Sequence, residues 1–535
     1  MHPGHCMMWT KGEFTKLRFF LIVLGSSFAY SIVPNYFFPP ISALSFVCWI
    51  WKNSITAQQI GSGLHGLGIG SFGLDWSVAS YLGSPLATPG FTIVNTLIGF
   101  ALTVYVLLPI AYWTNVYKAK RFPIINYHPF DASGASYNIS QVLINETFQF
   151  NKRGYEAYSK INLSIFTAFN YGLSLATLSA TLSHVALFNG STIWRLWTPT
   201  RAKVRNQTTD VHTRLMKKNY ESVPQYWFYI ILVVALGLAI LLSEGFQMQF
   251  QLPYWGVLLA CALALFLTLP IRVITATTNQ QPGLNLITQL VIGYLYPGKP
   301  LANVAFKTYG YTSISQAISF LADFKLGHYM KIPPKSMFIV QLVGMVVSCS
   351  IYFGTAWWLL SSVDHICDPQ NLPKGSPWTC SGDDAFYSAS IIWGVVGPLR
   401  MFGRLGIYEK MNWFFLIGLL APLPVWVLSR IYPNKKRIKL MNMPIIIGAT
   451  QSMPPARSVN YLTWAVVGII FNFYVYRKFK SWWVKHTYIL SAGLDVGAAF
   501  MALLVYFTLQ LSGIHRIKWW ALMVILTPVT VKHLR

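Results

Sequence analysis

Forty-two consecutive residues, from Trp76 to Tyr117, contain no Asp, Glu, Lys or Arg, and similar uncharged stretches recur almost to the C-terminus. Hydrocarbon cannot hydrogen-bond a bare backbone, so a chain crosses a bilayer only as helices of about 20 apolar residues or as strands of a closed barrel. The uncharged stretches have helix length and lack the alternation typical of barrel strands. The sequence therefore predicts an all-α polytopic membrane protein.

The composition agrees with a membrane protein and argues against a nucleic-acid partner. Of 535 residues, 54% are hydrophobic and 10% are charged, and the mean hydropathy is +0.46. The net charge is +26, but Lys and Arg crowd the ends of the apolar stretches. This placement is typical of cytosolic loops beside anionic headgroups, so we expect lipid as a partner and no nucleic acid.

The apolar stretches predict a single transmembrane domain, residues 1–535, with about 11–13 membrane segments. Eight spans have full length: 92–113, 163–183, 226–243, 253–271, 337–360, 411–429, 459–476 and 496–514. Prolines break the stretch 19–51 into two elements, while 284–297 and 388–398 have the length of half-helices or re-entrant segments. Broken helices matter because transporters build substrate sites at them.

Loop composition predicts the orientation. We expect residues 190–224, rich in Lys and Arg, to be cytosolic, and the polar loops 114–161 and 363–387 to be extracellular. Cys367 and Cys380 bracket a Pro- and Gly-containing part of the last loop, so we expect a disulfide between them. The other cysteines in apolar stretches are expected to be inert, and no metal site is predicted.

A glycine-rich segment, residues 58–75, combines six glycines with polar side chains at membrane depth. Its sequence is QQIGSGLHGLGIGSFGLD, and we take Gln58, Gln59, His65 and Asp75 as candidates for the substrate pathway. Polar groups are expensive in the bilayer and tend to face a cavity. The alternative is a tight helix crossing without a ligand, because small residues let backbones approach closely.

A second polar segment, TTNQQPGLN at 277–285, follows a full-length span and precedes a short one. Its amide and hydroxyl groups surround a Pro-Gly break and suit a ligand with many amide groups, such as a peptide. The alternative is an ordinary aqueous loop. The candidates for the substrate pathway here are Thr277, Thr278, Asn279, Gln280, Gln281 and Asn285.

Three carboxylates in or beside apolar stretches are candidates for carrying a coupling proton: Glu244, Asp323 and Asp495. Burial raises a carboxyl pKa, and opening to water lowers it again, so such a group can bind and release a proton. Each could equally be a structural hydrogen-bond acceptor.

Motifs of enzymes are missing from the sequence. Two Gly-Leu-Asp triplets, at Asp75 and Asp495, invite comparison with intramembrane aspartyl proteases, but the Tyr-Asp and Gly-x-Gly-Asp motifs of those enzymes do not occur. Gly-x-Ser-x-Gly, His-Glu-x-x-His and Walker A sequences do not occur either. We therefore predict a protein that is not an enzyme and that needs no cofactor.

Long blocks of the chain closely resemble the plant oligopeptide transporters. The resemblance covers nearly everything from about Phe19 to Gln510 and implies proton-coupled import of short peptides, such as glutathione-like or tetra- and pentapeptides, usually at the plasma membrane. It also implies a bundle of about sixteen helices with inverted repeats. The blocks include PPISALSFVCWIW (39–51), QQIGSGLHGLGIGSFGLDW (58–76), VHTRLMKKNYESVPQYWF (211–228), ATTNQQPGLN (276–285), DFKLGHYMKIPPKSMF (323–338), IIWGVVGPLRMFG (391–403) and YILSAGLDVGAAFM (488–501).

Two alternatives remain within this resemblance. One is a transporter of a peptide–metal chelate, with no metal held by the protein itself. The other follows from the N-terminus: family members usually carry a hydrophilic tail and several helices before the part that matches Phe19, so we expect an N-terminally truncated chain. A truncated chain could be a transport-inactive membrane protein, because one repeat would lack its partners.

Overall fold

The structure is a computed structural model, and it describes residues 16–144, 149–197, 211–246, 248–283, 285–363, 365–366, 371, 386, 388–510 and 514. These residues are mainly helical. The strands form two antiparallel pairs of two-residue strands: β1 (Leu44–Ser45) with β2 (Ser71–Phe72), and β3 (Leu143–Ile144) with β4 (Gln149–Phe150). The predicted all-α class is confirmed.

The α-helices vary widely in length. From the N-terminus they are α1 (Lys16–Ile32), α2 (Phe46–Ile50), α3 (Ile55–Gly61), α4 (Trp76–Ala79), α5 (Gly90–Phe100), α6 (Leu108–Trp113), α7 (Lys152–Tyr158) and α8 (Ile165–Trp197). Next come α9 (Val211–Asn219), α10 (Gln225–Glu244), α11 (Tyr254–Thr278), α12 (Asn285–Leu295), α13 (Pro300–Lys307), α14 (Ser313–Tyr329) and α15 (Pro334–Ser362). The last are α16 (Pro398–Met401), α17 (Trp413–Leu420), α18 (Pro422–Ile431), α19 (Lys436–Lys439), α20 (Met443–Ile447), α21 (Ser458–Ile469), α22 (Tyr476–Lys478) and α23 (Lys480–Val505).

Tighter and wider helical turns connect or extend these helices. The 3₁₀ turns are Pro39–Ala43, Val116–Arg121, Ile139–Gln141 and Glu409–Asn412. The π-helical turns are Val33–Phe37, Ala101–Leu107, Thr308–Thr312, Ile391–Val396, Ile470–Val475 and Tyr506–Gln510. Such π-helical turns are rare in proteins, and many of those that occur lie at functional sites.

Within the described part of the chain, nine helical segments are long and apolar enough to cross a bilayer. They are Lys16–Phe37, Gly90–Trp113, Ile165–Arg195, Gln225–Glu244, Tyr254–Thr278, Pro334–Ser362, Glu409–Ile431, Ser458–Lys478 and Lys480–Gln510. Eight overlap the predicted full-length spans, and the ninth is the first part of the proline-broken stretch. The chain is a multi-pass membrane protein.

Two helices extend well beyond the predicted spans. The span expected at 163–183 continues to Trp197 in α8, and the span expected from residue 496 already begins at Lys480 in α23. The extra turns contain polar or charged side chains, which lower the local hydropathy but do not stop a helix. The short segment expected at 284–297 is α12, and the one expected at 388–398 contains the π-helical turn Ile391–Val396.

The chain divides into two compact units. Of the described residues, the first contains those within 1–97 and 456–535, and the second contains those within 98–373 and 378–455.

In the first unit, α1 packs along α23. A Cβ atom on Gly497 would lie only 2.6 Å from the Cβ of Ser27, so glycine is needed for this close approach. The Ser27 hydroxyl donates a hydrogen bond of 2.9 Å to the Leu494 carbonyl. Close backbone approach and interhelical hydrogen bonds are what stabilise helix pairs in lipid.

In the second unit, α8 is the central helix and packs against α11, α12, α17, α18 and α20. Next to it lies an aromatic core in which the rings of Trp393 and Phe402 stack at 4.8 Å. Trp393 belongs to the π-helical turn Ile391–Val396, which packs against α12 and α13. This core supports the two short helices that follow the polar segment 277–285.

Candidate functional site

The polar segment 277–285 forms a break between α11 and α12 in the second unit. Asn279 adopts a left-handed conformation with φ 54° and ends α11, and its N–H donates 2.9 Å to the Thr275 carbonyl. Pro282 and Gly283 follow, so helical hydrogen bonding does not resume before Asn285. The backbone of this break therefore needs partners outside its own helices.

A second break, residues 448–457 between α20 and α21, meets the first one through Gln451. The Gly283 N–H donates a short hydrogen bond to Gln451 Oε1. Asn170 of α8 supports this second break, because its Nδ2 donates 2.8 Å to the Met453 carbonyl and its Oδ1 accepts 3.1 Å from the Thr450 hydroxyl. Two chain breaks are thus joined by amide groups and fastened to the central helix.

Four side-chain amide atoms of the second unit are buried without a partner among the described residues. They are Nε2 of Gln281, Gln289 and Gln451 and Oδ1 of Asn303, which we call the amide cluster. Gln289 lies on α12 and Asn303 on α13, and each is only 2% exposed. Asn303 Nδ2 donates to the carbonyls of Gln289 (3.0 Å) and Trp393 (3.3 Å). Buried amide atoms normally have hydrogen-bond partners, so each of these atoms presents an unused donor or acceptor.

The other candidates of the segment 277–285 have different environments. The hydroxyls of Thr277 and Thr278 donate to carbonyls of their own helix, at 2.9 Å and 2.7 Å to Ile274. Asn279 and Asn285 are exposed. Of the predicted residues in this segment, Gln281 has a buried and unpartnered side-chain atom.

In the first unit, the glycine-rich segment 58–75 packs closely against α21. The Ser458 hydroxyl donates 2.9 Å to the Gly66 carbonyl, and the Val459 N–H donates 3.2 Å to the Gly63 carbonyl. Gly68 has φ +79°, and a Cβ there would lie 2.6 Å from the Cβ of Ser458. Close packing thus explains these glycines without a ligand.

Two of the four polar candidates in the glycine-rich segment, Gln58 and Asp75, make structural hydrogen bonds. Gln58 donates 3.0 Å to the Lys52 carbonyl, and Gln59 is half-buried. Asp75 is the N-cap of α4, since its carboxylate accepts from the Ser77 N–H at 3.0 Å. His65 is exposed. Their assignment to the substrate pathway stays a prediction.

The three carboxylate candidates differ in their surroundings. Glu244 Oε1 accepts 3.0 Å from the N–H of Tyr254, the first residue of α11. Asp323 lies on α14 and is exposed. Asp495 lies on the spanning helix α23, and its Oδ1 accepts a hydrogen bond of 2.6 Å from Nε1 of Trp76. Of the three, Asp495 is the one that connects a spanning helix to the end of the glycine-rich segment.

Four residues of the site escaped prediction: Asn170, Gln289, Asn303 and Gln451. Gln451 lies in GATQSMPP, which has the same mixture of Gln, Gly and Pro as TTNQQPGLN and could have been noticed. The other three are single amides in helices, and their local sequence has no feature that marks them as part of a site.

Two predictions concern groups for which the structure has little to add. Cys367 and Cys380, the predicted disulfide, lie outside the described residues. Within the described ranges, no three His, Cys, Asp or Glu side chains gather where they could hold a metal ion.

Spanning helices interrupted by amide-lined breaks define a multi-pass membrane protein of the transporter class. The chain belongs to the oligopeptide transporter family: the family described as OPT oligopeptide transporter protein matches residues 8–509. The chain is 59% identical over 513 residues to Oligopeptide transporter 1 of Arabidopsis thaliana, covering 96% of this chain and 68% of that protein. It is 60% identical over 511 residues to Oligopeptide transporter 5 (95% and 68% covered) and 52% over 506 residues to Oligopeptide transporter 2 (94% and 68%), both of the same plant.

Proposed function

We propose that this protein is a proton-coupled secondary transporter that imports short oligopeptides across the plasma membrane, and that the amide cluster binds the peptide main chain. Membership of the oligopeptide transporter family supports peptide as the substrate. The observation that carries the proposal is the set of buried, unpartnered amide atoms of Gln281, Gln289, Asn303 and Gln451.

The chemistry of the amide cluster matches that of a peptide backbone. Three of the free atoms are Nε2 donors, which pair with carbonyl oxygens, and the fourth is an Oδ1 acceptor, which pairs with an N–H. Main-chain groups occur in every peptide regardless of its side chains. The proposed site therefore accepts peptides of different sequence, and a ligand that satisfies four buried atoms removes the cost of leaving them unpaired.

For the coupling proton we propose Asp495. Its carboxylate lies on the outside of a spanning helix, where an ionised group is expensive unless it faces water or a partner. Trp76 Nε1 donates a hydrogen bond to the Asp495 carboxylate, and a bound proton would weaken this hydrogen bond, because a carboxylic acid is a poorer acceptor than a carboxylate. A proton at Asp495 thus changes how α23 is held to the segment that precedes Trp76.

One proton per peptide supplies a useful driving force. Each elementary charge that moves down a membrane potential of 100 mV contributes about 2.3 kcal/mol, which corresponds to about 50-fold accumulation of a neutral peptide.

Uptake of a labelled tetrapeptide in cells that lack their own peptide transporters tests the function directly. We expect saturable uptake that an uncoupler suppresses. Excess unlabelled tetrapeptide should compete with the labelled peptide, whereas an excess of a metal chelate should not. Uncoupler-insensitive uptake would exclude proton coupling. Absence of uptake, with the protein present at the cell surface, would exclude the function.

Matched variants test the two sites separately. Gln451→Ala removes an amide of the cluster, and Ser452→Ala, an exposed neighbour in the same break, is its control. We expect the first to lower tetrapeptide uptake about tenfold, the worth of one or two hydrogen bonds, and the second to leave uptake unchanged. Asp495→Asn should make the remaining uptake insensitive to the uncoupler, whereas Asp323→Asn should not.

A further inference from the structure

Lys307 is a buried cation with no role in the function proposed above. It is the last residue of α13, directly before the π-helical turn Thr308–Thr312, and is 9% exposed. Its Nζ lies 4.2 Å from the centroid of the Phe386 ring. Lysines are almost never buried to this degree unless an anion pairs with them.

The described surroundings of Lys307 contain no such anion. The elements packed against α13 are α11, α12 and the π-helical turns Thr308–Thr312 and Ile391–Val396. The sequences of these four elements include a single charged residue, Arg272, which is also a cation. A cation–π contact with Phe386 recovers only part of the free energy that an ammonium group loses on leaving water.

The amide cluster begins one helical turn away. Asn303 and Lys307 are four residues apart on α13 and therefore lie on the same face of that helix. Asn303 Nδ2 holds the carbonyl of Gln289, while Asn303 Oδ1 and Gln289 Nε2 remain unpartnered among the described residues. A ligand that pairs with these amides would therefore have a cation close to it.

We propose that Lys307 binds the C-terminal carboxylate of the transported peptide. This assignment rests on the proposed function, since it adds an anchor for one end of the same ligand. The carboxylate at the C-terminus is the one anion that every unmodified peptide carries, whatever its sequence. Lys307 thus makes the site selective for peptides with a free C-terminus, while the amide cluster binds the main chain.

The proposal is tested by comparing the uptake of two labelled tetrapeptides of identical sequence. One has a free C-terminal carboxylate, and the other is C-terminally amidated. The full chain should take up the free acid about tenfold faster than the amide at low peptide concentration, because a hydrogen bond to a charged group has about this worth. Equal uptake of both forms would overturn this inference alone. Uptake of neither form would overturn the proposed function and this inference with it.

Variants of Lys307 separate recognition from folding. Lys307→Gln should lower uptake of the free acid to that of the amide and leave amide uptake within about twofold, whereas Lys307→Arg, which keeps the charge, should retain the preference. Equal loss of both peptides in Lys307→Gln, at normal surface level, would overturn the proposal. As a second readout, the free acid should raise the melting temperature of the purified wild-type protein more than the amide does, and this difference should vanish in Lys307→Gln.

A rival anion exists in the sequence. Asp383 and Asp384 precede Phe386 closely in the chain and lie outside the described residues. We expect a double Asn variant of these two residues to keep the preference for the free acid. A double variant that loses the preference as Lys307→Gln does would show that Lys307 pairs with these aspartates, and would overturn the proposal.

Discussion

Replacing the buried Lys307 with Met should stabilise the protein. A binding site for an anion holds an uncompensated positive charge when it is empty, and this charge costs free energy in the folded state. Methionine fills a similar volume, has no charge, and makes its own favourable contact with an aromatic ring such as Phe386. A residue that merely stabilised the fold would behave in the opposite way, because its removal would leave a cavity or a broken contact.

The size of the effect follows from the pKa of Lys307, which lies outside the nine spanning helices. Burial lowers the pKa of this lysine from 10.5 to about 8. At about 1.36 kcal/mol per pKa unit, this lowering corresponds to a cost of about 3 kcal/mol in the folded state. Loss of the cation–π contact with Phe386 offsets about 1 kcal/mol, so we expect Lys307→Met to raise the free energy of unfolding by about 2 kcal/mol.

The pH dependence gives the stricter test. Below about pH 8 the lysine is charged in both the folded and the unfolded chain, so the wild type bears the full cost. Between pH 8 and 10.5 the folded protein has released the proton while the unfolded chain still binds it, so the stability of the wild type should rise with pH relative to Lys307→Met. Above 10.5 both states are neutral, and the cost disappears.

Unfolding of the purified protein in detergent micelles, followed by tryptophan fluorescence at several pH values, measures this difference. The gap between Lys307→Met and wild type should be largest at pH 7 and should close as the pH approaches 10.5. Lys307→Met less stable than wild type at pH 7, or a gap that does not change with pH, would refute the reasoning, because the charge would then be compensated in the empty protein.

Three further predictions concern packing and capping. Gly497→Leu should destabilise the pairing of α1 with α23 by about 1–3 kcal/mol, seen as a lower melting temperature, since its Cβ would meet Ser27; an unchanged melting temperature would contradict this packing. Glu244→Gln should keep uncoupler-sensitive uptake, because the amide oxygen of the glutamine still accepts a hydrogen bond from the Tyr254 N–H. If uptake by this variant no longer responds to the uncoupler, Glu244 is the proton carrier. Asn170→Leu should lower both stability, by about 1–3 kcal/mol, and peptide uptake, as it removes the two hydrogen bonds that hold the second break; normal uptake would show that this break is not part of the site.

The spanning helices could be predicted because hydropathy is a local property. A stretch such as 92–113 is apolar along its whole length, and it has no alternative but to cross as a helix. The predicted helix boundaries are wrong where local hydropathy is no longer informative. For example, α23 begins at Lys480, and its first turns contain lysines that precede the apolar stretch. Helix ends are set by capping and packing, which a hydropathy window does not measure.

The amide cluster could be predicted only in part. The sequence of the segment 277–285 shows a break rich in amides, but it does not show which of them have partners. Gly283 and Gln451 are 168 residues apart, and their hydrogen bond depends on how α8 positions the second break through Asn170. Sequence reasoning finds the polar segments, whereas the pairing between them is a property of the fold.

The sequence does not separate the three carboxylate candidates, whereas the structure gives each of them different contacts. In the sequence, Glu244, Asp323 and Asp495 are equivalent acids beside apolar stretches. A proton can drive transport only if it binds two conformations with different affinity, so its carrier must have a contact that differs between them. All three carboxylates are exposed, so exposure does not separate them, and Glu244 bonds the start of the next helix. Asp495 accepts its hydrogen bond from Trp76, 419 residues away in the sequence, so the proton that we propose there would weaken a contact between α23 and the start of α4. Asp495 is therefore the carrier that we propose for the coupling proton, and uncoupler-sensitive uptake by Asp495→Asn would contradict that proposal.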